Sequence, residues 1–131
     1  MTEAVSGDNP FGHGRGAWQA AKQEAAKKLE AVAYAGDLIF YSELCRSISA
    51  IRFNPDGHDF HHLLGQLSLE SDAAGGGMIS ALVVHKNGRS GPGSGFFDLA
   101  GKLGRDIADR DACWADEVKR VHLAVRRNVA G

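Results

Sequence analysis

The segment from Gly75 to Phe97, Gly-Gly-Gly-Met-Ile-Ser-Ala-Leu-Val-Val-His-Lys-Asn-Gly-Arg-Ser-Gly-Pro-Gly-Ser-Gly-Phe-Phe, constrains the fold more than any other part of this chain. The run Met78 to Val84 is short, apolar, β-branched toward its end and bounded by glycine, which favours a buried strand over a helix. Asn87-Gly88 follows, a dipeptide suited to a tight turn because both central positions of a type I′ turn need positive φ. Lys86 and Arg89 make that turn basic. Pro92, Gly93 and Gly95 make the return arm irregular, so a short hairpin rather than a long clean one is expected.

Helical patterns surround this segment. Between Ala17 and Ala35 the chain is rich in Ala, Lys and Glu, and Trp18, Ala21, Ala25, Leu29 and Val32 recur along one helical face, with Gly36 placed to end the helix. Leu38, Ile39 and Phe40 suit a brief strand, and Tyr41-Ser42-Glu43-Leu44 opens a second helix that turns Leu44, Cys45 and Ile48 inward. Asn54-Pro55-Asp56-Gly57 is a turn, with Asp56 a candidate cap for a third helix and Asp59 near its positive end. In that third helix Phe60, Leu63, Leu64 and Leu67 follow the spacing i, i+3, i+4, i+7, which puts all four on one buried stripe. Phe96, Phe97, Leu99, Ala100 and Leu103 open a further helix that Gly104 ends. A last helix, starting near Asp109 or Asp111, buries Trp114, Val118, Val121 and Val125.

A chain of 131 residues with 44% hydrophobic and 24% charged residues suits one core. Residues 1–16 read as a flexible arm, because Gly7, Pro10, Gly12, Gly14 and Gly16 leave little to pack; Phe11, His13 and Arg15 are its candidate contact residues. Residues 17–131 read as a single domain. No stretch reaches the ~20 apolar residues of a membrane span. Residues 1–16 lack the basic and apolar regions of a secretory signal, so a cytoplasmic location and no membrane partner are expected. Cys45 and Cys113 fall on apolar helix faces, where a thiol behaves as a small hydrophobe.

The order helix, short strand, Tyr-x-Glu-Leu helix, third helix, strand, glycine-rich turn and strand-like return resembles the winged helix-turn-helix group over roughly residues 17–103. Phe40-Tyr41-Ser42-Glu43-Leu44 is similar to the opening of the helical pair in such domains, including the DNA-binding half of the alkylguanine-transferase-like proteins. Met78 to Phe97 also resembles a motif of uncharacterised bacterial proteins. The Pro-Cys-His-Arg motif of the alkyltransferases has no counterpart here, so their chemistry does not carry over. The resemblance implies a mainly helical α+β domain of winged-helix-like form, with a short β-hairpin as the wing and a C-terminal helix.

Charge sets the functional expectation. Fifteen Lys and Arg against sixteen Asp and Glu remove the bulk attraction that strongly basic nucleic-acid binders use. Residues 57–72 contain no Lys or Arg, whereas helices that read base edges present Arg, Lys, Asn or Gln. Nucleic-acid contact is therefore expected at the wing, from Lys86 and Arg89 with Arg46 and Arg52 nearby. Four such contacts give a slope of log affinity against log salt of about −3.6. The expected role is a small non-enzymatic, regulatory binding protein, with no cofactor.

Two alternatives stand beside it. A near-neutral third helix suits a protein-protein interaction module, an adaptor or inhibitor, with the long first helix able to support a homodimer. His58, His61 and His62 offer the other. His58 and His62, four apart, could share a metal ion, and His58 or His62 with His85 and Lys86 could act as a nuclease-like acid-base set. The pattern supplies no third metal ligand and no complete metalloprotease motif. His122, beside Val121 on the last helix, reads as a hydrogen-bonded, half-buried structural histidine, and both tryptophans as core-edge residues whose indole nitrogens find partners.

Overall fold

A computed structural model describes residues 11–85 and 92–130, without the side chains of 129 and 130. Helix α1, Arg15–Tyr34, is followed by strand β1, Ile39–Phe40, and helix α2, Tyr41–Arg46. Helix α3, His58–Ala73, leads into a 3-10 turn at Ile79–Leu82 and strand β2, Val83–Val84. Helices α4, Ser94–Lys102, and α5, Arg110–Ala130, complete the order. The molecule is a mainly helical α+β fold.

Local chemistry explains most of the boundaries. Helix α1 ends where Gly36 adopts φ +75°, and the amides of Gly36 and Asp37 close back on the carbonyls of Ala33 and Val32. A side chain at Gly36 would be strained by that φ and would also approach the Arg126 guanidinium. Helix α2 starts with the Glu43 carboxylate accepting the Phe40 amide at 3.2 Å. Helix α5 starts with Asp109 Oδ1 accepting the Ala112 amide at 3.1 Å, which places Asp109 as its cap. The cap expected at Asp56 is not made: Gly57 occupies that position, and the Asp56 amide itself donates to Asn54 Oδ1 at 2.8 Å.

The strand expected from Met78 to Val84 forms only at its last two residues. Side chains from two helices take the amides that a strand would give to a neighbour. Glu117 Oε2 accepts the Met78 amide at 2.8 Å, Ser71 Oγ that of Ile79 at 3.1 Å and Ser68 Oγ that of Ser80 at 3.0 Å. The chain answers with a 3-10 turn. Strand β2 then pairs with β1, Ile39 opposite Val83 and Phe40 opposite Val84, and the pairing is parallel. Among the described residues the partner of β2 is β1, reached through α2 and α3, and the chain is helical from Ser94; the Asn87-Gly88 turn of the expected hairpin lies outside the described residues.

The main core joins the inward faces of α1, α2, α3 and the strands. Trp18, Leu29, Leu44, Phe60, Leu63 and Val83 lie inside it. The whole α3 stripe, Phe60, Leu63, Leu64 and Leu67, is buried as its spacing predicts; each such side chain is worth about 1.5–3 kcal/mol relative to exposure. On α1, Ala33 rather than Val32 completes the buried stripe. A second cluster, Met78, Ala81, Phe96, Phe97, Ala100 and Cys113, fills the space between the 3-10 turn, α4 and α5. On α5 the most buried positions are Cys113, Glu117, Val121 and Ala124, with Trp114, Val118 and Val125 half-buried beside them. Trp18 and Trp114 donate their indole N–H groups to Gln66 Oε1 at 2.9 Å and Ala81 O at 2.8 Å. The half-buried His122 donates from Nε2 to Asp37 O at 3.0 Å. No helix among the described residues is long and apolar enough to cross a membrane.

Candidate functional site

A cleft of about 370 Å³ opens between α3 and α4. The α3 wall presents His61, His62, Leu64, Gln66 and Leu69; the α4 wall presents Phe96, Asp98, Leu99 and Lys102; Tyr41, Ser80 and Gly93 also line it. Helical spacing produces both walls. On α3 the buried stripe runs through Leu63 and Leu67, which turns Gln66 and Leu69 outward. On α4 the burial of Phe97 and Ala100 leaves Asp98 and Lys102, four apart, exposed on one side.

Tyr41 stands at one end, between two imidazoles. Its ring lies 5.3 Å from that of His61, at 30°, and 4.8 Å from that of His85, at 38°. Its hydroxyl accepts the Gly93 amide at 3.1 Å. Burial pushes the phenol pKa up, and the Gly93 amide offsets part of that shift. His61 Nε2 lies 3.0 Å from Pro55 O, and a carbonyl only accepts, so this nitrogen carries a proton and Nδ1 remains to serve a ligand.

Around the neighbouring turn of α3, His62 meets Gln66 at 3.3 Å, and its ring approaches Trp18 and Phe11 at 6.1 and 5.5 Å. His13 stacks on Trp18 at 5.8 Å and pairs with Asp59 at 2.9 Å. Residues 11 and 13, read as part of a flexible arm, are therefore laid against α1 and α3. Most of the rest of that arm lies outside the described residues.

Of the sequence-derived site residues, Lys86 and Arg89 lie outside the described residues. Arg46 ends α2 and Arg52 lies between α2 and α3; both are exposed, and the side chain of neither forms a hydrogen bond or ion pair with another described residue. His58 is exposed, and among the described residues no group of three His, Cys, Asp or Glu side chains could hold a metal ion. The expected meeting of His58 or His62 with His85 is replaced by that of His61 with His85, through Tyr41. Sequence reasoning missed Tyr41, Asp98 and Lys102 as site residues; the i, i+4 spacing of the last two was the available signal. Both thiols are buried, and burial pushes them up, Cys45 to about 12 with Asp59 adding to the effect, so neither is a thiolate nucleophile near neutral pH.

Fold and cleft define a small, mainly helical α+β protein with a partly apolar recess between α3 and α4. No family model, curated protein or solved structure gives a significant match to this chain.

Proposed function

We propose that this protein is a non-enzymatic binding module that seats a segment of a partner protein in the α3–α4 cleft. The observation that carries this reading is the composition of that surface. Leu69 stays 47% exposed beside Leu64, Phe96 and Leu99, the rim holds Asp98 and Lys102, and α3 brings no cation to it. Apolar walls suit an aliphatic or aromatic anchor side chain, and the mixed rim suits a flanking charge of either sign. Helix α3 has no Lys or Arg of its own for a phosphate, and its acids Asp59, Glu70 and Asp72 already hold His13, Lys22 and Arg105 as partners. Selection of displayed random peptides tests the reading. Apolar-anchored peptides should be recovered whose binding is lost in Leu69→Asp and kept in Leu123→Asp, which alters an equally exposed leucine on α5. Loss in neither variant would place the interaction elsewhere.

A second reading keeps nucleic acid as the partner, in the manner of a winged helix, through Lys86 and Arg89 with Arg46 and Arg52. It is favoured by the exposure of Arg46 and Arg52, the two of these cations that are among the described residues. Low-salt binding of mixed-sequence duplex DNA that is lost in Lys86→Glu/Arg89→Glu supports it; absence of binding at low salt excludes it.

A further inference from the structure

We infer that Tyr41 is the positioning residue of this binding surface: one side chain ties together the two ends of the span that joins β2 to α4, and forms the end wall of the cleft in doing so. The chain from His85 to Gly93 could reach about 27 Å if extended, at ~3.4 Å per residue. Instead both ends touch Tyr41. The His85 ring lies 4.8 Å from the phenol ring, and the Gly93 amide donates to the hydroxyl at 3.1 Å.

Three further observations make this a built arrangement. His61 also packs on the phenol at 5.3 Å, and Phe60 meets it edge-on at 6.4 Å, so the ring is held from α3. Position 93 is close-packed, since a Cβ there would stand 3.3 Å from His85 Nε2 and the imidazole would have to give way by a few tenths of an ångström. The clasp also reaches into the cleft, which Tyr41, His61 and Gly93 all line. A partner seated against His61 therefore presses on the same ring that holds the start of α4.

The clasp stands on these contacts alone; its effect on affinity rests on the proposed peptide-binding role. Amide exchange at Gly93 tests the first, and the selected peptides test the second. Tyr41→Phe keeps the ring and removes the acceptor, so Gly93 exchange should accelerate about fivefold, the worth of one net hydrogen bond. Peptide affinity should fall by a similar factor. His85→Ala keeps the hydroxyl and loses the ring contact, and should speed Gly93 exchange less than Tyr41→Phe does. Unchanged Gly93 exchange in Tyr41→Phe would overturn the clasp, whatever the protein binds. Faster exchange with no peptide bound by the parent protein would uphold the clasp and sink the binding role.

Discussion

Two groups of charges in this molecule are arranged in opposite ways. Behind the 3-10 turn, Glu117 is only 1% exposed and shares its two oxygens between Arg105 Nε and Nη2, each at 2.9 Å, and the Met78 amide at 2.8 Å. Arg105 also binds Asp72 at 2.6 Å, so one guanidinium joins α3, α5 and the segment after α4. At the cleft, Asp98 and Lys102 are exposed, and their side chains form no hydrogen bond or ion pair with another described residue. A desolvated charge is tolerated only when its partners saturate it, and such a group sets geometry. A charge left in water at a recess adds little to stability and stays available to a partner.

That contrast predicts a graded set of outcomes. Glu117→Ala leaves Arg105 without its main partner and should cost about 3 kcal/mol of unfolding free energy, measured by urea denaturation. Burial alone would raise the Glu117 carboxyl, but the hydrogen bonds from Arg105 and the Met78 amide outweigh it and hold the group below its ordinary value of 4.5. A depressed folded value means that this stabilisation is complete above that ordinary value and is lost as pH falls through the folded one. The acid limb of stability should therefore be shallower in Glu117→Gln than in the parent.

Gly77→Ala comes next, at about 2 kcal/mol. Gly77 holds φ +77°, and a Cβ there would lie 3.0 Å from Glu117 Oε2 and 3.1 Å from the Arg120 side chain, so strain and a displaced carboxylate combine. Smallest is the double variant Asp98→Ala/Lys102→Ala, which should change stability by less than about 0.5 kcal/mol while weakening binding of the selected peptides. A large loss of stability in that variant would mean that the rim charges belong to the fold, and the contrast with the buried cluster would fail.

Legibility in the sequence followed the range of the interactions. The α3 stripe, the glycine at the end of α1, the Tyr41 helix start and the structural reading of His122 depend on spacing within one element or on its nearest turn. The start of the strand expected at Met78 was misread for the opposite reason. Ser68 and Ser71 on α3 and Glu117 on α5 supply the acceptors that bend this stretch into a 3-10 turn, and Glu117 lies 39 residues from the amide it binds.

The candidate site divides in the same way. Hydrophobic periodicity and turn chemistry, which are local, are enough to specify a mainly helical α+β chain whose third helix carries no cation. Which histidine meets which aromatic ring is a different kind of fact. His61 and His62 are adjacent in sequence, yet helical rotation sends one to Tyr41, the ring that also meets His85, and the other to Trp18, Phe11 and Gln66. Only the packing of α2, α3 and β2 against one another brings Tyr41, His61, His85 and Gly93 to a single point, because side-chain convergence depends on where helices cross, and no spacing within one segment encodes that.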